Sequence, residues 1–66
     1  MQTHLYEVPV NGTRQPEARR IVKETHKLYI LEGIVNTHVR KTTMCNRFLR
    51  WFLTEAAAAA YYASIR

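Results

Sequence analysis

The chain has 66 residues, with ten Lys and Arg against five acidic residues, all of them Glu, for a formal net charge of +5. This length allows one domain with one small core, in the size range that buries only about 60% of its unfolded surface. The single cysteine, Cys45, excludes an intrachain disulfide framework and fits a reducing compartment.

Residues 3–10, THLYEVPV, alternate as a strand does, with His4, Tyr6, Val8 and Val10 on one side and Leu5, Glu7 and Pro9 on the other. Pro9 has no N–H for a ladder, so it marks an edge position or the end of the strand. Asn11-Gly12 signals a turn. Gln15-Pro16 then interrupts an immediate return, so a loop is expected over residues 11–17, followed by a second strand over about 18–24. In that strand Ile21 and Val22 point to opposite faces, and Arg19, Arg20 and Lys23 make the exposed surface basic.

Residues 25–39 support two readings. As a helix, Thr25 caps it, Leu28, Leu31, Ile34 and Val35 form an apolar stripe, and Gly33 costs about 1 kcal/mol relative to Ala. As a hairpin, KLYIL and IVNTHV are strands joined by Glu32-Gly33, and the β-branched residues after Gly33 support that. The first reading, a helix over 26–35 and a strand over 37–43, gives the order β-β-α-β-α; the second gives β-β-β-β-α.

Residues 44–66 read as one helix. Ala56 to Ala60 are the best helix formers, Arg47, Leu49, Arg50, Leu53 and Glu55 follow closely, and neither Gly nor Pro occurs after Gly33. Thr42 or Thr43 is the expected N-cap. A helix of about 22 residues would extend roughly 33 Å. Leu49, Phe52, Leu53, Ala56, Ala60 and Ala63 would form its apolar face, Arg47, Arg50, Thr54 and Tyr61 the opposite side, with Trp51 between them. The expectation is an α+β fold: a single domain over 1–66, in which a long C-terminal amphipathic helix packs on a three-stranded sheet.

The residues argue against catalysis. The absence of Asp removes any Ser-His-Asp set, and two glycines leave no Gly-rich phosphate loop. His4, His26 and His38 do not have metal-ligand spacing, and one cysteine cannot complete a structural zinc site. Cys45 reads as a buried residue of the helix's first turn rather than a nucleophile, which would need a His partner and a pocket. No enzyme activity, metal or cofactor is expected. The N-terminus lacks the basic and apolar regions of a secretory signal, and no run of about 18–20 apolar residues is present. A cytoplasmic protein with no membrane partner is expected.

The basic residues point to a partner. An excess of positive charge attracts nucleic acid, a ribonucleoprotein or an acidic protein surface, and Arg with large aromatics is the composition of binding hot spots. The expected partner-binding residues are Arg19, Arg20 and Lys23 on the second strand, Arg40, Lys41, Arg47 and Arg50 further on, and Trp51 and Tyr61 beside them. The small alanine side chains offer a close-packing face for a homodimer.

At THLYEV…NG…RRIVKET the chain resembles small orphan proteins of bacteriophages and mobile elements, whose best-known functional group is the anti-CRISPR proteins. The resemblance covers residues 3–45 and rests on size and on the succession strand, turn, strand, helix; the alanine-rich terminal helix departs from it, and no residue roles carry over. It implies a non-enzymatic inhibitor that binds a host defence complex. With a net charge of +5, such an inhibitor would not mimic DNA but would act by steric cover or by locking a conformation. Two alternatives stand beside it: a small basic nucleic-acid-binding or regulatory protein, and a dimeric structural or accessory phage protein.

Overall fold

The alternation of residues 3–10 becomes strand β1 (His4–Pro9), and the basic stretch after Pro16 becomes β2 (Glu17–Glu24). Among the described residues three further strands follow, β3 (Leu28–Leu31), β4 (Thr37–Arg40) and β5 (Leu49–Phe52), before a single helix, α1 (Glu55–Ile65). The computed structural model describes residues 2–33 and 35–66. All pairings are antiparallel and the sheet order is β4-β3-β2-β1-β5.

The expected three-stranded sheet under a long helix is therefore corrected in two places. Residues 26–35, expected as a helix, contain β3. Thr25 does not cap a helix; its N–H donates to the Leu28 carbonyl at 2.8 Å and its Oγ1 accepts from the Leu28 N–H at 3.0 Å, closing a tight β2–β3 turn. The apolar spacing that fits a helix stripe also fits a strand with both faces used, and Tyr29 and Ile30 favour the strand. Ile34, in the proposed stripe, lies outside the described residues.

The second correction is larger. The helix expected over 44–66 begins only at Glu55, and residues 44–53 turn and form β5. Met44 has a positive φ of 50°, a left-handed conformation no helix contains. The Asn46 side-chain oxygen then accepts from both the Phe48 and Leu49 N–H groups at 2.8 Å, fixing a turn. As a strand, this segment sends Trp51 to one face of the sheet and Phe52 to the other, so both rings are covered. An amphipathic helix would bury one face only. The N-cap is Thr54, whose Oγ1 accepts from the Ala57 N–H at 3.1 Å, not Thr42 or Thr43. Cys45, expected buried, is exposed.

The five strands curl into a barrel-like sheet. Trp51 of β5 and Val39 of β4, the two ends of the strand order, share one core with Leu5 and Leu31. Met44 follows the β4 exit turn and its carbonyl accepts from the Trp51 N–H at 2.8 Å, so the chain after β4 lies against β5 and nearly closes the barrel. Ile21, Tyr29, Met44 and Leu49 pack around this core. The helix lies on the outside, against β1 and β5. Ala58 is its one buried residue, while Ala56, Ala57, Ala59, Ala60 and Ala63 face solvent, so the expected Leu49, Phe52, Leu53 and alanine face does not exist as a helical stripe. Gly12, with φ of 69°, makes the turn after β1 and brings the chain under the end of α1, where an added Cβ would stand 3.6 Å from the Ile65 carbonyl oxygen.

Candidate functional site

Strand alternation separates the basic residues by side. In β1, Leu5 and Glu7 point into the barrel, and the register places Arg19 opposite Leu5 and Trp51 opposite Glu7. Glu7 is thus 1% exposed in the core, the only buried charged residue among those described. Its Oε1 accepts from Arg14 at 2.8 Å, and its Oε2 accepts from Arg19 at 2.8 Å and from the Trp51 indole N–H at 3.0 Å. Arg19 also donates to the Glu32 carbonyl at 2.7 Å, and Arg14 pairs with Glu17 at 3.0 Å. Two guanidinium groups and two carboxylates form a neutral network, the arrangement that makes a buried charge tolerable. Gly33 lies close beside it: a Cβ there would stand 3.1 Å from the Arg19 guanidinium and 3.3 Å from the Val35 carbonyl oxygen, a tight fit on both sides.

The outer face of the sheet is different. The helix covers the β1–β5 side, and the outward residues of β2, β3 and β4 remain open. The register sets Lys23, Ile30 and His38 in one row across three strands and Leu28 and Arg40 in the next. A register shift between Ile21 and Lys23 turns Lys23 outward there. Lys23, His38 and Arg40 are exposed, while Leu28 and Ile30 are half-buried between them. Arg20 stands on the same side of β2, 3.8 Å from Glu32 with both side chains mostly in water, a contact that holds little energy.

Beyond this face, the β2–β3 turn and the turn after β4 stand side by side, because the Lys41 N–H donates to the Lys27 carbonyl at 3.0 Å. Between them lies a groove of about 680 Å³ lined by His26, Lys27, Leu28, Arg40, Lys41 and Thr42. Lys41 is held by Glu24 at 2.6 Å and lies over the Tyr29 ring at 4.9 Å.

The nine residues expected at a partner surface therefore scatter. Arg20, Lys23, Arg40 and Lys41 gather on or beside the open β2–β4 face. Arg19 turns inward to Glu7. Trp51, expected at a boundary facing a partner, is 4% exposed and committed to the same carboxylate. Arg50 and Tyr61 lie on the helix side, with the guanidinium 5.2 Å from the Tyr61 ring and 5.6 Å from Phe52, whose ring is 5.2 Å from Tyr61. Arg47 sits in the turn before β5, next to Phe48, which is 69% exposed.

Sequence reasoning missed Lys27, His26 and His38 at the open face, and Glu7 as the centre of the interior. The face position of Glu7 was readable, since it alternates with Leu5 and Pro9. Lys27 needed the hairpin reading of residues 25–39. Among the described residues no three of His, Cys, Asp and Glu gather to hold a metal ion, and no helix is long and apolar enough to cross a membrane. Comparison with protein-family models, curated proteins and solved structures returned no match.

Proposed function

We propose that this protein is a non-enzymatic nucleic-acid-binding module that holds a phosphate backbone against the outer face of β2, β3 and β4. One observation carries the reading: where the charge excess falls. Glu7, Glu17, Glu24 and Glu32 are each ion-paired, to Arg14, Arg19, Arg20 and Lys41. Arg50 and Arg66 lie over aromatic rings. Of the four remaining cations, none ion-paired among the described residues, Lys23, Lys27 and Arg40 lie on one open face and its rim, and Arg47 lies elsewhere. Charges that folding does not neutralise, collected on a surface the helix leaves uncovered, are the footprint of a polyanion site.

Backbone contact is favoured over base stacking. The outward residues between the cations are Leu28, Ile30 and Val22, with no aromatic ring among them, and the exposed Phe48 stands apart from this face in the turn before β5. Base stacking, which single-strand binders use for affinity, needs exposed rings. Lys23 and Arg40 are the assigned phosphate contacts, with Arg20 as a third because its 3.8 Å contact to Glu32 is exposed and weak, and duplex is the favoured form.

The inhibitor reading drew on size, the lack of enzyme motifs, the charge of +5 and a hot-spot composition, and its family resemblance on a strand-turn-strand-helix succession over residues 3–45. Residues 26–35 contain β3 in place of that helix, so the open basic face supports the nucleic-acid reading better.

Fluorescence anisotropy of a labelled duplex, titrated across salt concentrations, tests it. About three phosphate contacts predict a slope of log K against log salt near −3. No binding at low salt, or a slope near zero, overturns the reading; capture of an acidic protein surface without any nucleic-acid affinity would favour a protein partner.

A further inference from the structure

Beside that face, the groove between the β2–β3 turn and the turn after β4 concentrates charge in a way a simple backbone track does not require. The β3–β4 register sets Leu28 opposite Arg40, and its extension sets Lys27 opposite Lys41, with the backbone bond between the two lysines confirming the pairing. Like charges directly opposite one another destabilise a sheet. Lys41 is compensated by Glu24. Counting Lys27, Arg40 and Lys41 against Glu24 leaves +2 at the groove. Thr42 adds a hydroxyl donor and His26 an imidazole to its lining. Backbone bonds from Lys41 to Lys27, from Thr25 to Leu28 and from Met44 to Arg40, at 2.8–3.0 Å, hold both turns in place before anything binds.

We propose that this groove binds a phosphate monoester dianion, with Lys27 and Arg40 as its principal ligands. A terminal phosphate carries a charge of about −2 near neutral pH, matching the +2 of the groove, whereas each internal diester carries a single negative charge. The proposal rests on the nucleic-acid reading for its preferred source, the phosphorylated end of a strand lying along the Arg20, Lys23 and Arg40 face. A free phosphate monoester presents the same chemistry.

The test compares two oligonucleotides of one sequence, with a 5′-phosphate or a 5′-hydroxyl, and in a parallel arm titrates inorganic phosphate while amide NMR shifts are followed. The phosphorylated end is expected to bind about fivefold to tenfold more tightly, as an added charge-assisted contact would give. That ratio should fall to about one in Lys27→Gln, whatever its absolute affinity, because one of the two principal ligands is gone. Phosphate should shift the amides of His26, Lys27 and Thr42. If neither oligonucleotide binds but phosphate shifts these amides in the wild type and not in Lys27→Gln, the groove stands with a free monoester as its source, and the nucleic-acid reading falls. Equal affinity for both ends with salt-dependent binding intact overturns the groove and leaves the backbone reading standing. Silence in both arms overturns both.

Discussion

The inside of the barrel and the outer face of β2, β3 and β4 use the same residue types to opposite ends. Inside, Arg14 and Arg19 meet a buried carboxylate, and no buried side-chain polar atom among the described residues lacks a hydrogen-bond partner. Outside, Lys23 and Arg40 stand on the sheet without a carboxylate partner among the described residues. In a chain with twice as many cations as anions, folding spends the anions first, and the excess is left where it can meet a ligand. An arginine in this sequence thus belongs to the fold or to the surface according to which side of a strand it occupies.

The largest way to break this contrast is to discharge its centre. Glu7→Gln keeps the shape but leaves Arg19 without a carboxylate and Arg14 with Glu17 alone. The expected loss is about 3–5 kcal/mol, the cost of unpairing a buried charge. A chain of this size has roughly 3–10 kcal/mol in total, so denaturant unfolding should show a protein near the limit of folding. A loss below about 1 kcal/mol would mean that the network is not a fold determinant.

Removing single donors should cost less. Trp51→Phe retains most of the core volume and leaves Glu7 short of the indole N–H, for an expected loss of about 1–3 kcal/mol. Arg19→Ala should destabilise more than Arg14→Ala, because the Arg19 side chain is 21% exposed and that of Arg14 is 45% exposed. The reverse order in urea midpoints would show that Arg14 carries the pair. Thr54→Ala removes the α1 cap and is expected to cost about 1 kcal/mol, read in the same midpoints. On the outer face, Lys23→Gln and Arg40→Gln should change stability by less than about 0.5 kcal/mol each, as surface substitutions do, and act on binding instead.

How much of this was legible follows from where the information lies. β1 and β2 were readable because alternation and turn residues are local: Asn11-Gly12, Pro16 and the pattern from His4 to Val10 need no partner to be interpreted. β5 was not, because its case is tertiary. Arg47, Leu49, Arg50 and Leu53 favour a helix by propensity, but as a strand the segment delivers Trp51 to Glu7, 44 residues away in sequence. Two local signals pointed the same way: Asn46, which begins a turn, and Thr54-Glu55, an N-cap followed by an acid at the first helical position. β3 was the weighed alternative, and Thr25 serves a hairpin turn as well as it would a helix cap. At the site, the basic residues of β2 and β4 were legible as candidates. Their division between inside and outside was not, because the pairing with β1 decides that Arg19 rather than Arg20 faces in, and a register shift between Ile21 and Lys23 then turns Lys23 outward.

The most direct test is the double variant Lys23→Gln/Arg40→Gln, measured for duplex affinity against salt and for unfolding midpoint together. With two of about three phosphate contacts gone, the slope of log K against log salt should fall from near −3 to about −1, while the midpoint stays in place. An unchanged slope would place the nucleic-acid contacts elsewhere, and a large fall in stability would mean that these cations belong to the fold; either result contradicts the division between a paired interior and an open binding face.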